Sequence, residues 1–182
     1  PEVTTVGWSF SDYKLPFLSM SFISTEKINE SFLYFCFLVK KRKRMKKQVC
    51  VMGISKNDDT PFRVMMLKEI DGERTLPLII GQAEAQAIIV ALEPLSLPRP
   101  LVYDTFILVA KTFDVELQEV FIYDKKNGIY FATMVWRGLE NKTFETDSRP
   151  SDAIALALRT KAPIFLEESI LANFGSNIKD KV

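Results

Sequence analysis

The chain has 182 residues, with 24 basic and 23 acidic side chains, 47% hydrophobic residues, two cysteines and no histidine. That length suits one compact domain able to bury its own core. The missing histidine excludes Ser-His-Asp and Cys-His catalysis, histidine zinc sites and a histidine general base. Two cysteines are too few for a disulfide framework, which favours a reducing, cytoplasmic setting.

Residues 1–44 show neither a strand nor a helix period. The apolar run Phe32-Leu33-Tyr34-Phe35-Cys36-Phe37-Leu38-Val39 is far short of the roughly 20 residues a membrane helix needs. The basic run Lys40-Lys41-Arg42-Lys43-Arg44 follows it, the reverse of a secretory signal, so no membrane association is expected. Followed by Met45-Lys46-Lys47, that run reads as a purine-rich ribosome-binding site and a start codon in translation. The expectation is a non-native or disordered extension over residues 1–44 and a domain over 45–182, starting at Met45. The domain then holds 17 basic and 19 acidic residues, net −2, so bulk charge gives no support to nonspecific nucleic-acid binding.

From Met45 onward the elements follow in order. Residues 48–55 read as a strand with Val49 and Val51 on one face. Asn57-Asp58-Asp59 is a turn, 62–70 a second strand and Asp71-Gly72 a tight hairpin signal. Residues 75–80 form a third strand, after which Gly81 marks a change of period. Residues 82–93 are an Ala-rich helix, broken by Pro94, Pro98 and Pro100. Residues 101–113 form a second helix. A strand over 115–124 leads through Lys125-Lys126-Asn127-Gly128 into its partner over 129–137, where Ala132, Met134 and Trp136 alternate with Phe131, Thr133 and Val135. Residues 142–147 return as a strand. Pro150 starts a helix that ends at Thr160. Its stretch Ala153-Ile154-Ala155-Leu156-Ala157-Leu158 is apolar nearly all round, as a helix buried on several sides requires. A short extended piece over 163–166 and a helix over 168–173, stopped by Gly175, complete the chain. The order β-β-β-α-α-β-β-β-α-β-α predicts a single α+β domain, a mostly antiparallel sheet with helices packed on it. Cys50 is expected in the core as a small hydrophobe.

Three stretches are distinctive together: Leu76-Pro77-Leu78-Ile79-Ile80-Gly81-Gln82-Ala83-Glu84-Ala85-Gln86-Ala87-Ile88, Arg99-Pro100-Leu101-Val102-Tyr103-Asp104, and Asp147-Ser148-Arg149-Pro150-Ser151-Asp152-Ala153-Ile154-Ala155. In this order they resemble the bifunctional nuclease domain family, from about residue 48 to 175. The resemblance implies a compact α+β domain, a homodimer, and a nuclease acting on RNA and DNA. The chain departs from the pattern once: where the family motif reads Thr-His-Asp, this one reads Val102-Tyr103-Asp104.

Phosphodiester hydrolysis needs an activated water and charge neutralisation at the phosphate. Without histidine, that points to a divalent metal, Mg²⁺ or Mn²⁺, held by carboxylates. Glu84, Asp104 and Asp152 are the candidate catalytic and metal-ligating residues, each in the first turn or two of a predicted helix. Arg99 and Arg149, each just ahead of a proline, and the hydroxyl of Ser151 are the candidate phosphate contacts. A second role fits the acids equally. With Gly81 and Arg149 as N-caps, Glu84 and Asp152 fall at the third helical position, where a carboxylate caps backbone N–H groups and complements the helix dipole; Asp104 also lies in a first turn. Tyr103 reads as a half-buried helix residue. Two functions therefore stand: a metal-dependent nuclease, and a non-catalytic anion- or partner-binding, regulatory or dimerisation module of the same fold.

Overall fold

The computed structural model describes residues 44–55, 62–93 and 97–177. The expected extension lies outside them save for Arg44, as do the expected turn at Asn57-Asp58-Asp59 and the breaker Pro94.

The elements are β1 (Lys46–Ser55), β2 (Phe62–Glu69), β3 (Arg74–Gly81), α1 (Gln82–Leu92), α2 (Val102–Thr112), β4 (Glu116–Lys126), β5 (Ile129–Arg137), β6 (Thr143–Ser148), α3 (Pro150–Thr160), β7 (Ile164–Glu167), α4 (Glu168–Phe174) and β8 (Ser176–Asn177). All but β8 match the sequence order. Two residues cannot show a period, and β8 exists only because Ser176 and Asn177 pair with Thr75 and Arg74. The strands form one sheet in the order β6-β5-β4-β7-β1-β2-β3-β8. Every adjacent pair is antiparallel except β4 and β7, where Val120, Phe121 and Ile122 run alongside Ile164, Phe165 and Leu166.

One face of the sheet carries the core. Met65, Leu67, Leu76, Leu78, Val120, Ile122, Ala132, Trp136, Ile164 and Leu166 pack against Ala85 and Ile88 of α1, the Ala-rich stretch of α3, and Ile170 and Leu171 of α4. Each such large side chain contributes about 1.5–3 kcal/mol when fully buried. α3 lies across β4 and β5 between α1 and α2. Its first two turns are sealed in apart from Pro150 and Asp152: Ser151 and Ala153 through Ala157 are all buried. The apolar helix thus serves as a cover for the sheet.

Two local expectations change. Asp71-Gly72 does not make a two-residue hairpin. Lys68 pairs with Thr75, and the chain turns over the longer loop between Glu69 and Arg74. At the other hairpin the turn is tighter than expected. Lys125 and Lys126 stay in the ladder opposite Tyr130 and Ile129, and Asn127-Gly128 turns alone. Both residues take left-handed backbone, φ 50° and 82°, as a two-residue turn matched to sheet twist requires.

Cys50 is exposed, not in the core. Neighbouring strand residues face opposite ways, and Val49 takes the core side. Trp136 is buried at 3% exposure and Phe144 stands 44% exposed. Among the described residues no helix is long and apolar enough to cross a membrane.

Candidate active site

Three helices start at one place. Gly81 is the N-cap of α1, Leu101 of α2 and Arg149 of α3, all in extended backbone. Gly81 lets the β3 ladder pass directly into α1, and Pro150 at the first position of α3 suits a helix start. Glu84 therefore projects from the first turn of α1 and Asp152 from the first turn of α3, as the cap assignment from sequence requires.

The guanidinium of Arg149 lies between them. Its Nη2 is 2.8 Å from Glu84 Oε1 and 3.1 Å from Asp152 Oδ1, and its Nε donates to Asp152 Oδ2 at 2.6 Å. Two carboxylates thus converge on one nitrogen. Tyr103, from the first turn of α2, donates its hydroxyl to Asp152 Oδ1 at 2.7 Å. Burial and this bond to a carboxylate push the Tyr103 phenol well above its ordinary range, so it stays a donor at any working pH. Asp152 and Glu84 in turn hold Arg149 firmly in its charged form.

Arg149 and Glu84 form one wall of a cavity of about 240 Å³. Buried Ser151 lies on the same wall, and the β4–β5 hairpin closes the other side with Gly128, Ile129 and Tyr130. The Ser151 hydroxyl makes no hydrogen bond to the described residues and is available to whatever enters. The Arg149 side chain is 67% exposed, against 17% for Glu84 and 26% for Asp152. An ion pair that wet is worth only about 0–1 kcal/mol. Arg149 can therefore exchange its carboxylates for another anion at little cost.

The remaining candidates lie elsewhere. Asp104 takes the capping role: Oδ2 accepts the Leu101 N–H at 2.8 Å and Oδ1 accepts Arg159 Nε at 2.7 Å. Burial opposes its charge, but these two donors win and hold its carboxyl below the usual range. Successive helix residues point about 100° apart. Hence Tyr103, and not Asp104, is what α2 brings to the cluster. Glu84 and Asp152 make no such cap bond among the described residues; their oxygens go to Arg149 and Tyr103. Arg99 is exposed in the bend before α2 and pairs with no described residue. Among the described residues no three acidic side chains gather as a metal site.

The sequence profile of the family described as Bifunctional nuclease domain matches residues 65–179. An uncharacterized protein of Mycobacterium tuberculosis is 35% identical over 134 residues, covering 74% of this chain and 79% of that protein. The chain belongs to the bifunctional nuclease domain family. Bifunctional nuclease 1 of Oryza sativa subsp. indica is 28% identical over 124 residues, 66% of this chain but 38% of the rice protein. Bifunctional nuclease 1 of Arabidopsis thaliana is 26% identical, with the same coverage. All the residues of the cluster fall inside the matched bifunctional nuclease domain. Of the two positions where this chain departs from the Thr-His-Asp pattern that the resemblance implies, Val102 and Tyr103, the second touches Asp152 directly. Its spacing beside Asp104 hides that role in the sequence, because only the packing of α2 on α3 shows which of the two faces the site.

Proposed function

We propose that this bifunctional nuclease domain hydrolyses phosphodiester bonds of RNA, DNA or both at the Glu84–Arg149–Asp152 cluster. The observation that carries this reading is the convergence of two carboxylates on one guanidinium nitrogen beside a cavity lined by a hydroxyl that has no partner among the described residues. Family membership supports the substrate class.

Two carboxylates and one guanidinium leave one negative charge uncompensated, and both carboxylates direct an oxygen to the same point. This donor set fits Mg²⁺ or Mn²⁺, which take one or two carboxylates and complete the shell with water and substrate phosphate. Glu84 and Asp152 would be the ligands; Asp104, committed to Leu101 and Arg159, would not. Such an ion supplies an activated water and neutralises phosphate charge. The chain does the rest. Arg149 swings from its carboxylates to fork a phosphate bidentately. Ser151 donates to a non-bridging oxygen. Tyr103 fixes the orientation of Asp152 through a proton it does not give up.

The test is cleavage of labelled single- and double-stranded RNA and DNA by the full chain, with Mg²⁺ or Mn²⁺ against EDTA. Glu84→Gln and Asp152→Asn, each folded by circular dichroism, are expected to lose about a hundredfold in rate. Asp104→Asn is expected to keep the metal dependence. No cleavage by the unaltered chain would favour a non-catalytic anion- or partner-binding module. One observation already leans that way: Glu84 and Asp152 are both matched to an internal donor.

The same reading includes a homodimer in the cytoplasm. α2 has no fully buried residue, and Val102, Phe106, Leu108, Val109 and Phe113 are exposed along it. Phe106, Val109 and Phe113 meet Met134, Trp136 and Phe144 around an apolar groove of about 420 Å³. A monomer gains nothing from leaving such a patch in water, whereas a second copy would cover it. The exposed free thiol of Cys50 accords with a reducing compartment.

A further inference from the structure

The cavity at Arg149 has two unlike walls. Glu84, Arg149 and Ser151 make a polar one at the starts of α1 and α3. Ile129 and Tyr130, of the β4–β5 hairpin, make an apolar one. The hydrolysis proposed above uses only the first.

The sheet aims Tyr130 at this cavity. Ala132 is buried on the helix side of β5 and pairs with Ser148, and residues two apart on a strand share a face. Tyr130 therefore stands on the helix side too, one step further out, where Pro150 begins α3 on the same cavity wall as Arg149. It packs against the edge of the core yet is only half-buried. Its cross-strand partner in β4 is Lys125. The Lys125 ammonium lies 4.6 Å from the centre of the Tyr130 ring and 3.8 Å from that of Phe174. This half-buried lysine makes no ion pair among the described residues, so its charge is met there by the two rings. Lys125 thus acts as a positioning residue for Tyr130. A ring held in place before a ligand arrives loses little freedom on binding it.

At about 30 Å³ per water-sized group, the cavity of about 240 Å³ holds roughly eight heavy atoms. That is room for one base or one sugar, and too little for a base pair. In a nucleic acid the part next to the phosphate that offers a flat face to an aromatic ring is the base.

We infer that Tyr130 is the stacking platform for one unpaired base beside the scissile phosphate, which makes this a site for single strands. The inference rests on the proposed hydrolysis for the place of the phosphate, on Arg149 and Ser151. The base lies on the Tyr130 ring, with Ile129 along its edge. Every base has such a face, so no strong base preference is expected. A base inside a duplex is paired and stacked on its neighbours, and reaches the ring only after the unfavourable step of flipping out.

The test is a titration of the full chain, in EDTA, with a mixed-sequence DNA dodecamer alone and annealed to its complement. Carbon-13 NMR reads the tyrosine rings, five in the chain, with Tyr130→Phe assigning the Tyr130 signals. The single strand is expected to bind saturably and to shift the Tyr130 ring upfield, with the duplex at least about tenfold weaker. Tyr130→Leu keeps an apolar side chain but no π face. It is expected to bind the single strand about tenfold more weakly, and Tyr130→Phe within about twofold of the unaltered chain. The shift in the unaltered chain decides the matter even if Tyr130→Leu does not fold. No saturable binding, equal binding of single strand and duplex, an unmoved Tyr130 signal, or a folded Tyr130→Leu that binds as tightly as the unaltered chain would each overturn the inference. Cleavage with Mg²⁺ or Mn²⁺ is scored separately. A shifted Tyr130 without cleavage keeps the stacking site and removes the hydrolysis; cleavage with an unmoved Tyr130 does the reverse.

Discussion

Tyr103 Oη and Asp152 Oδ1 are 2.7 Å apart, so the first turn of α2 is tied to the first turn of α3 by a phenol that does not ionise. The bond fixes one oxygen of a carboxylate whose other oxygen belongs to Arg149.

Tyr103→Phe removes that donor and keeps the ring. It is expected to cost about 1 kcal/mol in denaturant unfolding and to lower kcat more than it raises KM, because Asp152 is freed rather than removed. Tyr103→His introduces the residue type that the resemblance implies at this position. It should retain activity and introduce an inflection near pH 6.5, the ordinary histidine range. A profile for Tyr103→His that matches the unaltered chain would show that position 103 does not reach the chemistry.

Gly81 offers a second handle on the same cluster. A Cβ there would collide with the Glu84 carboxylate, while φ −71° at Gly81 suits any residue. Gly81→Ala should therefore displace Glu84 from Arg149 without disturbing the β3–α1 junction. Activity is expected to fall at least about tenfold with stability within about 1 kcal/mol of the unaltered chain. Full activity in that variant would remove Glu84 from the mechanism.

Stability in acid should depend on Arg74. This residue grips Glu69 through Nε at 2.8 Å and Nη2 at 2.9 Å, and Glu168 through Nη1 at 2.7 Å. The Arg74 hydrogen bonds hold both carboxyls below their ordinary 4.5, against the opposing effect of burial. A carboxyl depressed on folding stabilises the fold above its unfolded value, and that stability is lost as pH falls through the folded value. The unaltered chain should thus lose stability from roughly pH 5 downward. Arg74→Met should be less stable by about 2 kcal/mol at pH 7, since it leaves buried Glu69 with only the longer Lys47 contact at 3.5 Å, and should show a shallower acid slope. Denaturant midpoints between pH 7 and pH 3 decide this; parallel curves for the two proteins would show that Arg74 does not carry the acid sensitivity.

The exposed face of α2 is tested by mass in solution. Phe106→Glu places a charge in the centre of the apolar groove, beside the Trp136 ring at 5.8 Å. Light scattering should find a dimer for the unaltered chain and a monomer for the variant. A monomer in both cases would mean that this face is simply left bare.

Most of the fold was readable because each signal is local. Strand alternation, the Asn127-Gly128 turn, Pro150 and Gly175 all report on a few neighbouring residues. The one parallel pair was not readable, because the join of β4 to β7 depends on α3 carrying the chain back across the sheet. The site was half readable for the same reason. Glu84, Arg149 and Asp152 follow from helix starts. Tyr103 and Asp104 are equivalent in sequence until the packing of α2 on α3 separates them. Arg159 gave no signal, since a basic residue in a last helical turn ordinarily serves only the helix dipole.

The position of β7 has a consequence for how the protein is made. Among the described residues, Lys46 and Lys47 of β1 have only β7 as their ladder partner, since pairing with β2 begins beyond them. β7 follows β1, β2 and β3 far along the chain, so those three must wait as a three-stranded sheet with one side open until it is made. Unpaired strand edges invite association with other chains, and lysine on an edge is a common guard against it. The two lysines that open β1 are therefore well placed to keep nascent chains apart until β7 arrives to cover that edge.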